Sequence, residues 1–373
     1  MIYLDYSANT PADPAVLHTF VETEQRYIGN ANSTHAAGRA AHVRMDEILA
    51  HMAQLLGVQP DELIFTSGAS EANNLALKGM ARASRHVGKH IISTALEHSS
   101  VSGTLTALQE RGYEIDLVDI DREGRVDLEH LRELMRKDTV MVAVCAVDSE
   151  LGTVQPLAEI AEIVKQAPDC RLHVDATQAV GKMPVSFEGI DTMSIAPHKF
   201  YGLNGCGILV KRKGVILEPL IHGGASTTIY RSGTPALALA ASMETALQLA
   251  LEQLPKRQAA VQAWNDQLRE RLSAYPKVRI NSPKQAIPHI LNLSVHGVKG
   301  TAFQQALDAK GVCVSVKSAC SVENTPSRAV FAVSHDRKTA MSSWRISLSH
   351  LTTQQDMDGF LSAFEACYKE LTK

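Results

Sequence analysis

Absences narrow the class of this chain before any motif does. It contains no run of about 20 apolar residues, which excludes a membrane-spanning helix. Its opening, Met1-Ile2-Tyr3-Leu4-Asp5-Tyr6, lacks the basic stretch and apolar run of a secretory signal. The net charge is only −3, so there is no basic footprint for nucleic acid, and a charged small substrate has to be held by local charges. The six cysteines, Cys145, Cys170, Cys206, Cys313, Cys320 and Cys367, form no CxxC pair and no metal-site spacing. Free thiols without an export signal predict a reducing, cytoplasmic setting, with most of these thiols filling core positions as small apolar groups. Neither internal repeats nor low-complexity tracts occur.

What is present is an ordinary globular composition. Hydrophobic residues make up 45% and charged residues 21% of 373, enough for one large domain and a smaller one, each with its own core. Short apolar, β-branched runs at 63–66, 90–94, 115–118, 140–147, 171–174, 192–195 and 207–210 alternate with helical patterns near 36–56, 70–83, 99–111, 127–136 and 156–167. This alternation predicts an α/β fold with a mostly parallel central sheet between helices. In such sheets ligands sit beyond the carboxyl ends of the strands, so chemistry is expected just after each run. The spacing predicts a long helix over 234–273, or two joined near Pro255. It leads to a smaller α+β C-terminal domain with strands at 290–295, 312–316 and 344–348 and helices near 300–310 and 353–370.

Four strand ends carry polar groups in ligand-like positions. In Phe65-Thr66-Ser67-Gly68-Ala69-Ser70-Glu71 a strand runs through a glycine turn into a helix, whose N-terminal N–H groups and dipole suit a phosphate. Ser70 reads as a helix cap, a phosphate ligand, or both. His98 is placed to stack on an aromatic cofactor, to move a proton, or simply to satisfy local hydrogen bonds. Asp175 ends an apolar run and needs a partner at that depth. A protonated pyridine nitrogen is one partner and the cap of a following helix another, and Gln178 lies within reach of a neighbouring ring oxygen. Lys199 follows another buried run, where desolvation favours the unprotonated, nucleophilic amine. An anion site, a ring-stacking imidazole, an acid for a pyridinium and a lysine, in that order, make the set that a pyridoxal phosphate enzyme requires, with Lys199 holding the cofactor as a Schiff base.

Further segments extend the pattern. They are Tyr3-Leu4-Asp5-Tyr6-Ser7-Ala8-Asn9-Thr10-Pro11, Gly29-Asn30-Ala31-Asn32-Ser33-Thr34-His35, Glu150-Leu151-Gly152-Thr153-Val154-Gln155, His222-Gly223-Gly224, Arg231-Ser232-Gly233-Thr234, Lys317-Ser318-Ala319-Cys320-Ser321 and Trp344-Arg345-Ile346-Ser347. Together, and in this order, they resemble the cysteine desulfurases of the NifS/IscS type, within the class-V aminotransferase family, over nearly the whole length. The resemblance implies fold type I of the pyridoxal-phosphate-dependent transferases. It implies a large cofactor domain over 13–255 and a small domain made of 1–12 and 256–373, which carries the catalytic cysteine loop. Lys199 would bond the cofactor, and His98 would stack on its ring and act as acid or base. Asp175 would pair with the ring nitrogen, Gln178 would contact the ring hydroxyl, and Ala69, Ser70 and His198 would hold the phosphate. Thr234 would reach the same phosphate from the other subunit of a homodimer. Arg345, assisted by Asn32, would clamp the carboxylate of L-cysteine, a bidentate task that suits guanidinium. The Cys320 thiolate would take the substrate sulfur as a persulfide, releasing L-alanine. The sulfur would pass to an acceptor protein, such as an iron–sulfur scaffold or a tRNA-thiolation protein. Lys317 either helps to lower the pKa of Cys320 or is a solvated loop charge.

Several positions depart from the family pattern. Ser149 stands where an Asn contacts the ring hydroxyl, and is expected beside the cofactor. Ala196 stands where a Ser binds phosphate, Pro197 replaces a small residue, and Ala225 and Lys317 each replace a Gly. One lost hydrogen bond to a phosphate costs about 1.5–3 kcal/mol if nothing replaces it, and Ser194 is the nearest substitute. Two further readings are a selenocysteine lyase or other β-eliminating class-V enzyme, and a scaffold or adaptor that has lost activity. Retention of Lys199, Asp175, His98, Cys320 and Arg345 argues against the scaffold. The intact segment Glu323-Asn324-Thr325-Pro326-Ser327-Arg328 favours the desulfurase.

Overall fold

The computed structural model describes residues 1–224, 227–317 and 325–373. The chain opens with β1 (Ile2–Tyr3), α1 (Pro14–Arg26) and α2 (Ala36–Leu56). There follow β2 (Leu63–Thr66), α3 (Ala69–Ala83), β3 (His90–Ser93), α4 (Ser99–Gln109), β4 (Glu114–Leu117), α5 (Leu128–Leu134), β5 (Thr139–Cys145), α6 (Leu157–Val164), β6 (Arg171–Asp175), β7 (Thr192–Ile195) and β8 (Gly207–Lys211). Helices α7 (Leu237–Glu252) and α8 (Leu254–Ser273) lead to β9 (Val278–Ile280), β10 (Ile290–Val295), α9 (Gly300–Asp308), β11 (Val312–Cys313), α10 (Arg328–Ser334), α11 (Arg337–Ser342), β12 (Ser343–Ser347) and α12 (Gln354–Leu371).

Among the described residues, seven strands form one sheet in the order β2-β8-β7-β6-β5-β3-β4. The pairs from β7 to β4 are parallel, and β8 runs against both of its neighbours. All seven residues of β5 are buried, which is why it reads as an unbroken apolar run, while the edge strand β4 is half exposed. Helices α3 and α4 cover one face, packing Leu75, Met80, Leu105 and neighbours against Ile91, Met141 and Leu209. Helices α2, α6 and α7 cover the other, with Ile48, Ile160 and Leu247 against Val142, Val144 and Leu172. The sheet is thus the α/β, mostly parallel layer that the alternation predicts.

A second core gathers Leu293, Phe303, Trp344, Phe360 and Phe364 around the antiparallel sheet β12-β10-β9. Phe303 stacks on Trp344 at 5.1 Å between ring centroids. Leu4 belongs to this core, because β1 pairs in parallel with β11 and Asp5 bridges Ser347. The start of the chain is therefore bonded to its last third. Of the two readings for 234–273 the second holds: the segment forms the two helices α7 and α8, with Pro255 in the first turn of α8, where its missing N–H is harmless. The strand expected over 312–316 stops at Cys313, and Ser315 instead pairs with Arg345. Asp175 precedes turns over 177–182, so it caps no helix.

Candidate active site

Beyond the carboxyl ends of the parallel strands lies a cavity of about 360 Å³. Ser67–Glu71 after β2, His98 after β3, Ser149 after β5, Asp175 and Gln178 at the end of β6, and His198 and Lys199 after β7 all line it. Ser7 and Ala8 from the N-terminal segment and Arg345 from β12 close it. Those from the large domain, distant in sequence, meet here because each lies at or just after the end of a strand of the same sheet.

The turn from β2 into α3 forms one wall. Its helix cap is Gly68, at φ 152°, with no side chain capping the helix; Ser70 lies inside the first turn instead of serving as the cap expected of it. A Cβ on Gly207 would stand 2.6 Å from the Cα of Gly68, so β8 packs against this turn only with glycine there. The first N–H groups of a helix have no intrahelical partner, and Ala69 and Ser70 carry two of them in the cavity wall.

Asp175 is 5% exposed. Its Oδ2 accepts from Asn73 Nδ2 at 2.8 Å and its Oδ1 from the Thr177 backbone N–H at 3.0 Å. Lys199 ends a short 3-10 turn, Pro197–Lys199, and its Nζ donates to the carbonyls of Ser7 and Ala8 at 2.9 and 2.7 Å. Gln178 Nε2 donates to the same Ser7 carbonyl at 2.9 Å, and Gln178 Oε1 accepts from Lys182. Arg345 is 2% exposed; its guanidinium donates to Asp5 Oδ1 at 2.9 Å and to the Ser149 carbonyl at 2.7 Å.

Other expected members lie elsewhere. Asn32 is exposed and outside the cavity wall, its backbone N–H bonded to Asn30 Oδ1. Thr234 is exposed beside a smaller cavity that Ser67 and Arg231 share. Ser194 does not replace the hydroxyl missing at Ala196: it is fully buried in β7, its Oγ has no partner among the described residues, and it does not line the cavity. Cys320 and Ala225 fall outside the described residues. Lys317 is partly exposed, and its Nζ donates to the carbonyl and hydroxyl of Thr325 at 2.8 and 2.9 Å.

The family model for class-V aminotransferases matches residues 2–360. The chain belongs to the class-V aminotransferase family. A "NifS/IcsS protein homolog" of Lactobacillus delbrueckii subsp. bulgaricus is 37% identical, over 100% of this chain and 98% of the relative. A "Cysteine desulfurase IscS" of Dictyoglomus turgidum is 36% identical, over 99% of this chain and 95% of the relative. Among solved structures, a "NIFS-LIKE PROTEIN" superposes with a TM-score of 0.93 at 33% identity, covering 99% of this chain and 100% of that one.

Class-V aminotransferases of this kind use pyridoxal phosphate, and the cavity fits that group on its own evidence. Three residues that line it, Ser7, Thr177 and Arg345, carry buried polar atoms, Oγ, Oγ1 and Nε, that have no partner among the described residues. Such atoms are costly unless a ligand or water serves them. An uncapped helix start suits a phosphate, and a buried carboxylate suits a ring cation.

The electrostatics separate the side chains into neutral and charged. Burial lowers the pKa of His98, against the pull of Asp175. Burial, then Lys199 and Lys182, pushes His198 down to about 4. Burial pushes Glu97 up to about 8, and Asp148 up to about 7 with help from Glu150. Lys182 is pushed well below its usual value by burial, then by Lys199 and Arg345. Asn73, Lys182 and the Ser7 and Ala8 carbonyls were not anticipated. A lysine embedded in Ala179-Val180-Gly181-Lys182, four residues after Gln178, was the one local signal among them.

Proposed function

We propose that the protein is a pyridoxal-phosphate-dependent cysteine desulfurase. It converts L-cysteine to L-alanine, takes the sulfur as a persulfide on Cys320, and passes it to an acceptor protein. The observation that supports this most is the meeting of Lys199, Asp175, His98 and the α3 N-terminus in one cavity that Arg345 also lines.

Bound there, pyridoxal phosphate supplies a ring that withdraws electrons from the substrate α-carbon. Lys199 Nζ is the amine that holds the cofactor and the base that takes the α-proton. Asp175, fixed by Asn73 and Thr177, would present its carboxylate to the ring nitrogen. Gln178 and Ser149, which line the cavity, would contact the ring hydroxyl. Ala69 and Ser70 offer N–H groups to the phosphate, and neutral His198 offers a ring N–H. Arg345, which lines the cavity, would turn its guanidinium to the substrate carboxylate, with Asn32 assisting once substrate is bound. Over the whole reaction the Cβ–S bond of cysteine breaks, an S–S bond forms on Cys320, and the thiol proton ends on the alanine methyl group.

The same reading makes the protein a cytoplasmic homodimer, in which Thr234 serves the phosphate of the partner subunit. Among the described residues no helix is long and apolar enough to cross a membrane. The cofactor domain spans 13–255 and the small domain 1–12 with 256–373, the division falling in the first turn of α8. Iron–sulfur scaffolds and tRNA-thiolation proteins are the acceptors to assay first.

The purified protein with pyridoxal phosphate is expected to absorb near the visible edge of the ultraviolet and to form alanine from L-cysteine with a thiol reductant. Lys199→Ala should lose the band, and Cys320→Ala should keep the band while losing alanine formation. An unchanged rate in Cys320→Ala would overturn the persulfide route. A protein that stays colourless with the cofactor would favour the inactive scaffold.

A further inference from the structure

Asn73 lies in the second turn of α3, fully buried, and its amide stands at the centre of a closed set of hydrogen bonds. Nδ2 is 2.8 Å from Asp175 Oδ2 and 2.8 Å from Ser100 Oγ. Oδ1 is 3.0 Å from His173 Nε2, and the other nitrogen of that ring is 2.9 Å from Thr192 Oγ1. Ser100 Oγ is in turn 2.9 Å from His98 Nδ1, which also accepts the Ser100 backbone N–H at 3.1 Å.

Donor arithmetic fixes every proton in this set. A carboxylate only accepts, so the amide must turn Nδ2 towards Asp175 and spend its second hydrogen on Ser100. Oδ1 can then only accept, which puts the His173 proton on Nε2. Ser100 Oγ, already accepting from Asn73, gives its own hydrogen to His98 Nδ1. That nitrogen therefore faces two donors, and a neutral His98 carries its proton on Nε2. His173 is kept neutral by burial, consistent with its place at the donor end of the chain.

We propose that Asn73 is a positioning residue that couples the His98 imidazole to the Asp175 carboxylate through Ser100, restricting proton exchange by His98 to Nε2. The assignment rests on the roles given above to His98 and Asp175. One amide orients the acid expected under the ring nitrogen and, through a hydroxyl, the imidazole expected over the ring. The charged groups acting on His98 are Asp175 at the end of β6, Lys199 after β7 and Arg328 in α10, and none of them replaces the Ser100 hydroxyl.

The test follows His98 by long-range proton–nitrogen NMR in full-length, cofactor-free protein carrying isotope-labelled histidine, with His98→Gln for assignment. The wild type is expected to show a bare Nδ1 and a protonated Nε2. Ser100→Ala removes a donor that stabilises the neutral ring, so the His98 titration midpoint should rise by about 0.5–1 pH unit. Asn73→Asp draws the Ser100 hydroxyl to itself and adds charge, so it should raise the midpoint at least as far. If Asn73→Asp does not fold, Ser100→Ala, at a half-buried helix start, decides alone. A proton on Nδ1 in the wild type, or an unmoved midpoint in Ser100→Ala, overturns the coupling.

With cofactor added, Asn73→Asp should bind pyridoxal phosphate about tenfold more weakly, because two facing carboxylates share a proton and the ring nitrogen loses its partner. Ser100→Ala should stay within about twofold, since its bond lies on the His98 arm. Equal weakening in both variants would mark a merely structural role and overturn the coupling. Wild-type protein that binds no pyridoxal phosphate would remove the functional reading, and the histidine titration would still decide the network.

Discussion

Glu97 shows what burial does to a single residue here. It is 3% exposed; Oε1 accepts from the Thr94 hydroxyl at 2.8 Å and from the Cys145 N–H at 2.9 Å, while Oε2 has no partner among the described residues. Its pKa stands at about 8 against a usual 4.5. Between those values the folded protein holds a proton that the unfolded chain has released, so stability falls as pH rises through this window. The slope is at most about 1.4 kcal/mol per pH unit, with no effect below the lower value and the full loss above the upper. Glu97→Gln, neutral at every pH, should flatten that decline. Denaturant unfolding of cofactor-free protein at both ends of the window checks it, and parallel slopes in the two proteins would refute it. Lys199, Asp175 and His98 were readable because each side chain follows an apolar run. Their partners were not: the bond from Asn73 to Asp175 joins positions 102 residues apart, and Ser7 and Ala8 act through backbone carbonyls that every residue type carries.

At the scale of elements, β8 and the start of α3 constrain each other. A Cβ at Gly207 would meet the Gly68 Cα, C and N at 2.6, 2.7 and 3.0 Å, all of them backbone atoms that no rotamer change can clear. Gly207→Ala should therefore cost about 1–3 kcal/mol. By pushing the α3 turn out of place it should also weaken pyridoxal phosphate binding. Denaturation and a cofactor fluorescence titration measure the two losses, and unchanged binding would show that the turn is not the phosphate seat. Sequence reading did well in this sheet, where β2 and β7 match the expected runs at 63–66 and 192–195. Strands buried on both faces leave continuous apolar runs. It did less well where pairing is irregular, as at β11, or elements are short, as at α10, α11 and β9. Helix α1 was missed although Asp13 caps it and Pro14 opens it, a start signal that the sequence displays.

For the molecule as a whole, the N-terminal segment ties the two cores to one pocket. Leu4 is fully buried in the C-terminal core; its N–H donates to the Cys313 carbonyl at 3.0 Å and its carbonyl accepts from Ser347 at 2.7 Å. Three and four residues on, Ser7 and Ala8 hold Lys199, and Asp5 holds Arg345. Leu4→Ala should cost about 2–5 kcal/mol and also weaken pyridoxal phosphate binding, although Leu4 touches no part of the cavity. Loss of stability with full cofactor affinity would show that the pocket does not depend on this tether.

That tether also sets an order of assembly. All seven strands of the large sheet lie between residues 63 and 211, so a growing chain can pair them early. The bond from the Ser7 N–H to Ser347 Oγ joins positions 340 apart, and contacts of such separation form late. Until the strand at 343–347 has been made, the Lys199 amine has a sheet beneath it but no finished pocket around it. A cofactor that needs the closed pocket would act as a lock on a completed molecule, adding stability with the logarithm of its concentration over its dissociation constant, about 4 kcal/mol at a thousandfold excess.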